Sequence, residues 1–194
     1  MAIGCVVLAS GESVRFGANK LLADFNGRPM LACLLDALPS ELTTVVVTRS
    51  EGVCTLAQAR GLPCVLHREP EVRDTIRLGL EALPATDGCL FCVGDQPLLR
   101  AETIRAVCDA YASDPQAIVR AAFGPREGNP VLFPPDLYAE LRALHPGEAG
   151  VTVIRRHATR VRRVEATFAE ELADADTPDA FAALAALEQT MRKE

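Results

Sequence analysis

The stretch that decides the fold is GCVVLASGESVRFGANKLL, residues 4–22, in which an apolar run gives way to a turn-rich segment. Its first residues have the composition of a strand buried on both faces of a sheet. Gly11 and Gly17 then flank Arg15, and Lys20 follows. A glycine loop with two cations after a buried strand predicts a site for an anion such as phosphate. A solvated turn with two surface cations is the alternative, because glycine turns commonly follow strands.

This loop fits neither of two common phosphate-binding patterns. The P-loop needs a glycine immediately before its lysine, but Asn19 stands there. The dinucleotide fingerprint needs glycines two and five positions after the first, but Ser13 and Phe16 stand there. The loop is therefore interpreted from its small residues and its cations alone.

Apolar runs rich in Val, Ile, Leu and Cys recur along the chain and predict strands. They are Ile3–Leu8, Thr43–Thr48, Pro63–His67, Cys89–Val93, Ala117–Ala122, Val131–Phe133 and Arg160–Val164. Helical patterns separate most of them, and this alternation predicts a mostly parallel sheet covered on both faces. The proline-rich stretch at residues 125–136 breaks the alternation and predicts an antiparallel or irregular insertion.

Three helices have recognisable starts in the sequence. Pro29 is placed to begin one with an apolar stripe, and Asp74 is placed to cap another. Thr177 is a candidate N-cap, with Pro178 at the first helical position of the last helix.

Two aspartates stand at positions where a ligand could be held. Asp95 follows the predicted strand Cys89–Val93, and the carboxyl ends of neighbouring strands are where doubly wound sheets bind ligands. We expect this strand to lie beside the first one, so that Asp95 faces the first loop. Asp176 precedes the last helix. Each also has a structural interpretation, as a turn residue and as a favourable charge at a helix start.

Composition limits the function further. The chain has 194 residues, of which 49% are hydrophobic and 24% charged, and a formal net charge of -6. These values predict one domain, residues 1–194, and disfavour general nucleic-acid binding. The apolar runs are too short to span a membrane and no leader pattern is present, so we expect a cytoplasmic protein. The seven cysteines are an odd number, which favours reduced core residues over a disulfide framework.

Several stretches together resemble one enzyme family. They are LASGESVRFGANKLL at residues 8–22, GDQP at 94–97, EGNPVLF at 127–133 and DADTPDAF at 174–181. The resemblance is to the small Rossmann-like nucleotidyltransferases, in the branch of the molybdenum cofactor cytidylyltransferases and guanylyltransferases. It implies an α/β, three-layer αβα fold with a mostly parallel mixed sheet of about seven strands.

The resemblance also implies a reaction. A nucleoside monophosphate would move from a nucleoside triphosphate, CTP ahead of GTP, to a phosphorylated acceptor such as molybdopterin, with release of pyrophosphate. Mg²⁺ would be the cofactor, and a molybdenum hydroxylase could be a client. Two alternatives stay open: a nucleotidyltransferase for a sugar phosphate or methylerythritol phosphate, and a non-catalytic maturation protein for molybdenum enzymes.

The site residues follow from the positions that match. They are Arg15, Lys20 and Asp95 for catalysis; Leu8, Ala9, Ser10, Gly11, Arg15, Lys20, Thr75 and Asp95 for the nucleotide; Gly128, Asn129 and Pro130 for the acceptor; and Asp95 and Asp176 for the metal.

Overall fold

The computed structural model describes residues 1–11 and 19–193. Seven strands form one sheet in the order β3-β2-β1-β4-β6-β5-β7. The strands are β1 (Ile3–Ala9), β2 (Thr43–Thr48), β3 (Cys64–Leu66), β4 (Gly88–Val93), β5 (Ile118–Phe123), β6 (Arg126–Phe133) and β7 (Val161–Glu165). Each predicted strand is present: β2 has the predicted bounds, and the other strands differ from prediction by a few residues at one or both ends.

In the described part of the chain, seven α-helices connect and cover these strands. They are α1 (Met30–Ala37), α2 (Glu51–Gln58), α3 (Val72–Ala82), α4 (Ala101–Ser113), α5 (Tyr138–Arg142), α6 (Gly150–Arg156) and α7 (Pro178–Met191). Thr177 caps α7 as expected, since its side chain accepts a hydrogen bond from the Ala180 N–H at 3.1 Å. The expected cap at Asp74 is wrong. Helix α3 begins at Val72, three residues earlier than a cap at Asp74 implies, so that Asp74 lies in its first turn and Glu71 is the N-cap residue.

The core consists of two apolar clusters, one on each face of the sheet. Successive side chains of a strand point to opposite faces. In β1, Cys5 and Val7 therefore belong to the cluster under α1, α2, α4 and α7, whereas Val6 belongs to the cluster under α3, α5 and α6. In β4, Cys92 belongs to the first of these clusters and Cys89 to the second, because residues three positions apart in a strand point to opposite faces. The result is the expected three-layer αβα architecture.

The sheet is mixed in the way that the sequence indicates. Strand β1 pairs in parallel with β2 on one side and with β4 on the other. Strand β6, from the proline-rich stretch, runs antiparallel to β4 and β5. The carboxyl ends of β1, β2 and β4 therefore meet at one edge, and the site is built there.

The expectation that all the cysteines are reduced is wrong for one pair. The sulfurs of Cys54 and Cys64 are joined in a disulfide, with a Cα–Cα distance of 5.5 Å. Cys54 lies in α2 and Cys64 in β3, which follow one another in the chain and pack together, so the two side chains come within bonding range. Cys5, Cys33, Cys89, Cys92 and Cys108 are free thiols.

Within the described ranges, no helix combines the length and the apolar composition needed to cross a bilayer.

Candidate functional site

A cavity of about 410 Å³ opens at the carboxyl edge of β1, β2 and β4. The chain leaves β1 through Ser10 and Gly11, β2 through Arg49, and β4 through Gly94 and Asp95. These segments converge because the three strands are adjacent and parallel. The cavity is lined by Leu8, Ala9, Ser10, Gly11, Lys20, Leu21, Arg49, Pro70, Glu71, Val72, Thr75, Val93, Gly94 and Asp95.

Gly94 allows the close approach of backbone and core at this edge. Its N–H donates to the Leu8 carbonyl at 2.9 Å, which ties the end of β4 to the end of β1. A Cβ at this position would lie 3.3 Å from that carbonyl oxygen and 3.2 Å from Leu31 Cδ1. A larger residue would therefore push the turn, and Asp95 with it, away from β1.

Lys20 joins two aspartates that are distant in sequence. Its Nζ lies 2.7 Å from Asp95 Oδ2 and 2.8 Å from Asp176 Oδ1. The Lys20 side chain is only 9% exposed. Burial acts to lower the pKa of Lys20, but the hydrogen bonds and charges of Asp176 and Asp95 outweigh it and raise the pKa above its ordinary value. The ammonium is therefore held in its charged form.

A third carboxylate stands beside this ion triad. Asp174 accepts a hydrogen bond from Gln96 Nε2 at 3.0 Å. Burial, followed by the nearby charge of Asp95, raises the pKa of Asp174. Gln96 itself is almost completely buried, and the Ala175 N–H donates to the Asp95 carbonyl at 3.0 Å. These contacts hold the segment before α7 against the turn after β4.

Ser10 is fixed by a network at the other end of the cavity. Its hydroxyl lies 3.2 Å from the Val47 carbonyl oxygen and 2.7 Å from His67 Nε2. The Ser10 hydroxyl donates to the Val47 carbonyl, and the neutral His67 tautomer that carries its proton on Nε2 would complete the network by donating to Ser10 Oγ. Burial lowers the pKa of His67, and the charge of Arg49 lowers it further. Arg49 Nε also donates to the Ser10 carbonyl at 3.1 Å.

Thr75 lies in the first turn of α3 and faces the same region. Its side chain is 1% exposed, and its Oγ1 has no hydrogen-bond partner within residues 1–11 and 19–193. A buried hydroxyl without a partner costs free energy, so this atom is suited to a ligand that supplies one.

A second, smaller cavity of about 220 Å³ adjoins the first and shares Leu8, Val72 and Val93 with it. Its wall is largely apolar, and Asn129 and Arg120 are its polar side chains. Arg120 Nη1 pairs with Glu127 Oε2 at 2.7 Å. Burial lowers the pKa of Arg120.

The structure brings most of the residues singled out from the sequence to these two cavities. Leu8, Ala9, Ser10, Gly11, Lys20, Thr75 and Asp95 line the first one. Asn129 lines the second, whereas Gly128 and Pro130, its neighbours on β6, do not. Asp176 does not line the first cavity but is ion-paired with Lys20, which does. Arg15 lies outside the described residues.

Sequence reasoning missed Arg49 and the pairing of His67 with Ser10. A signal for Arg49 was available, because it follows β2 at the same edge as Asp95 follows β4. No sequence signal indicated the pairing of His67 with Ser10, because the two residues are 57 positions apart in the chain.

The ion triad of Lys20, Asp95 and Asp176 has the carboxylates that a divalent metal would need. Carboxylate oxygens from two separate segments already converge on one cation, the Lys20 ammonium. Among the described residues, no three His, Cys, Asp or Glu side chains are grouped to hold a metal ion. Mg²⁺ commonly takes one or two protein carboxylates and fills its remaining positions with water and phosphate oxygens. Asp95 and Asp176 therefore fit a magnesium ion that arrives with a phosphate ligand.

Most of the chain is similar to a known protein family. The family model described as "MobA-like NTP transferase domain" matches residues 5–164. The bifunctional protein GlmU of Rubrobacter xylanophilus is 30% identical in an alignment 115 residues long, which covers 56% of this chain and 25% of that protein. The chain thus spans about a quarter of the length of the curated relatives that it matches.

Solved structures with the same fold cover nearly the whole chain. Rv0371c from Mycobacterium tuberculosis superposes with a TM-score of 0.81 at 24% identity, over 96% of this chain and 98% of that one. Its complex with manganese superposes with a TM-score of 0.75 at 22% identity, over 96% and 99%. A CMP:2-keto-3-deoxy-manno-octonic acid synthetase complexed with CTP has a TM-score of 0.78 at 15% identity, over 98% and 100%.

Proposed function

Because the chain belongs to the MobA-like NTP transferase domain family, we propose that it transfers a nucleoside monophosphate from a nucleoside triphosphate to a phosphorylated acceptor and releases pyrophosphate. The observation that carries the proposal is the convergence of Lys20, Asp95 and Asp176 beside the cavity formed by Leu8 to Gly11. In the proposal, the Lys20 ammonium and the two carboxylates form the part of the site that meets the triphosphate and its metal.

The difficulty of such a reaction is electrostatic. A phosphorylated acceptor is already anionic near neutral pH, so it needs little help from a general base, but it must approach another anion. In the proposal, Lys20 and Arg15 neutralise phosphate charge. Asp95 and Asp176 hold Mg²⁺, which supplies further neutralisation of the triphosphate and of the departing pyrophosphate.

The nucleotide and the acceptor are assigned to the two adjoining cavities. The larger takes the triphosphate and nucleoside, beside Ser10, Gly11 and Thr75. The smaller takes part of the acceptor, beside Asn129. CTP is proposed as the nucleotide, supported by the sequence resemblance and by a structural neighbour that is complexed with CTP. Molybdopterin is proposed as the acceptor on the sequence resemblance alone.

The decisive experiment is a panel of nucleoside triphosphates against phosphorylated acceptors, with Mg²⁺ and pyrophosphate release as the readout. We expect turnover with CTP and molybdopterin. Replacing Asp95 by Ala should abolish turnover and leave the fold intact, because the side chain lies at the cavity rim and not in the core.

Asp87→Ala is the matched control. Asp87 stands immediately before β4, at the opposite end of the strand that Asp95 follows, and its carboxylate accepts from the Ala2 N–H. This variant should keep its activity. Equal losses in the two variants would show that the effect of Asp95→Ala is not specific to the site.

A sugar-phosphate or methylerythritol-phosphate acceptor is the second candidate, supported by the sequence resemblance to the small nucleotidyltransferases. Turnover with a hexose 1-phosphate and not with molybdopterin would favour it. A chain that binds nucleotide or pterin but turns over no pair would instead be a non-catalytic maturation protein.

A further inference from the structure

Lys20 occupies the position between the two proposed metal ligands. Its Nζ is within hydrogen-bond distance of an oxygen of Asp95 and an oxygen of Asp176 at the same time. Those two carboxylates are the ones assigned to Mg²⁺ above. In the structure, a side chain of the protein therefore supplies the cation at this place.

An ammonium and a divalent ion cannot share this position. Mg²⁺ needs its oxygen ligands at about 2.0–2.1 Å and six of them in octahedral array, whereas Asp95 Oδ2 and Asp176 Oδ1 here surround a nitrogen at 2.7 and 2.8 Å. A metal that used both carboxylates would have to displace Lys20 Nζ first. The displaced ammonium, which is only 9% exposed, would lose both of these carboxylate partners.

Displacement would require the side chain to move while the backbone stays. Lys20 begins a short 3-10 helix, Lys20–Leu22, which Asn19 caps by accepting from the Leu21 N–H at 3.0 Å. The Ala23 N–H donates to the Lys20 carbonyl, and the Leu21 side chain is buried. The flexible four-carbon stem of lysine can move its ammonium without disturbing this helix.

This inference rests on the proposed function. We propose that Lys20 is a placeholder for the metal, because its ammonium occupies the divalent-cation position in the nucleotide-free protein. The ammonium leaves this position only when a triphosphate offers it a new anionic partner. Metal and nucleotide then bind with positive coupling, and this coupling is reciprocal. Metal alone binds weakly, because it competes with a cation built into the protein. Lys20 thus ties metal entry to nucleotide entry.

The test measures Mn²⁺ binding to the full chain, by electron paramagnetic resonance of free Mn²⁺, with and without CTP. Without nucleotide, Lys20→Met should bind Mn²⁺ at least about tenfold more tightly than the unmodified protein, within the range of ordinary coupling effects. CTP should enhance Mn²⁺ binding less in the variant than in the unmodified protein. The double variant Lys20→Met, Asp95→Asn should lose the gain, which locates the new affinity at this site.

Lys20→Arg is the matched control, since it keeps a cation beside the carboxylates. It should bind Mn²⁺ without nucleotide no more tightly than the unmodified protein does. Equal or weaker Mn²⁺ binding by a folded Lys20→Met protein would overturn the proposal. So would a gain in Mn²⁺ affinity of the same size in Lys20→Arg.

A measurement on the unmodified protein keeps the proposal testable if Lys20→Met does not fold. The ammonium of a lysine held in a buried ion pair can be followed by NMR with ¹⁵N-labelled lysine. We expect the Lys20 signal to shift when Mg²⁺ and CTP are added together and to stay in place with the same concentration of Mg²⁺ alone. A shift with Mg²⁺ alone, or no shift with both, would overturn the placeholder role.

The outcomes separate this inference from the proposed function. Turnover in the acceptor panel, together with unchanged Mn²⁺ binding in Lys20→Met, would contradict the placeholder role and leave the transferase function standing. The Mn²⁺ gain in Lys20→Met without turnover of any pair would sink the transferase function and leave the placeholder role standing.

Discussion

Glu171 shows how a single buried carboxylate organises the region behind the site. It is 0% exposed. Its Oε2 accepts from Thr103 Oγ1 at 2.6 Å and from the Arg100 N–H at 3.2 Å, and its Oε1 accepts from the Thr167 N–H at 2.9 Å. Glu171 thereby joins the start of α4 to the segment after β7.

Replacing Glu171 by Ala should destabilise the protein by about 3 kcal/mol, because buried donors lose their partner. Urea denaturation measures this change in the free energy of unfolding. The neighbouring exposed Glu170, changed to Ala, should alter it by no more than about 0.5 kcal/mol. Similar losses in both variants would contradict the assigned role of Glu171.

His67 makes the stability of the site edge depend on pH. Burial lowers the pKa of His67, with the charge of Arg49 adding to the effect, so the folded protein resists protonation of the ring. A group whose folded pKa lies below its unfolded value stabilises the fold fully above the unfolded value. Its contribution is lost as the pH falls from about 6.5 toward the folded pKa.

When the pH is lowered from about 7.5 to about 5.5, the melting temperature of the unmodified protein should therefore fall relative to that of His67→Gln. A glutamine amide can still donate to Ser10 Oγ but does not titrate. Effects of other groups are common to both proteins and cancel in the difference. A melting-temperature difference that does not change across this range would contradict the prediction.

At the scale of elements, helix α3 lies unusually close to strand β1. A Cβ added at Gly79 would overlap the side chain of Val6. Gly79 is thus required by the distance between helix and sheet and not by a turn. The same helix carries Thr75 to the cavity, so its distance from β1 also positions part of the site.

Gly79→Ala should cost about 1–3 kcal/mol of stability, because the helix must move away from the sheet. Gly150→Ala is the control: it is also helical, and its Cβ would lie at an ordinary 3.7 Å from Phe133 Cζ. Alanine's higher helix propensity should leave the control unchanged or more stable by up to about 1 kcal/mol. Equal changes in the two variants would rule out the close packing of α3 as the cause.

At the scale of the whole molecule, the last helix, α7, contacts a segment from the first third of the chain. Glu188 of α7 accepts from Asn26 Nδ2 at 2.7 Å and pairs with Arg28 Nη2 at 3.0 Å. Burial acts to raise the pKa of Glu188, but the hydrogen bonds from Asn26, Arg192 and Arg28 outweigh it and lower the pKa. Asp176 immediately precedes this helix, so the docking of α7 also places a carboxylate of the site.

Glu188→Ala should destabilise the protein by about 1–2 kcal/mol, because Asn26 and the partly buried Arg28 lose a shared partner while Arg28 keeps its ion pair with Asp36. Hydrogen exchange should become faster in α7 before it does in β1 and β4. Gln189→Ala removes an exposed contact to the same Asn26 and should have little effect on either measurement. Uniformly faster exchange throughout the sheet would contradict a local role for Glu188.

What the sequence determined by itself is the kind of element at each position and the segments that carry chemistry. The apolar run of Ile3–Leu8, the carboxylate at Asp95 and the cap at Thr177 are local features, readable because each depends on residues a few positions away. The order of the first and fourth strands also followed from general rules of parallel sheets.

The sequence predicts that Asp95 faces the first loop, but only the tertiary structure decided which side chains of these segments touch. Lys20 contacts Asp95 and Asp176 across 75 and 156 residues of sequence. No local pattern contains such a contact, because it arises from strand order and from the docking of α7. The same holds for Ser10 with His67 and for Cys54 with Cys64. Local periodicity reports what a segment buries, whereas a site depends on the packing that brings distant segments to one edge of the sheet.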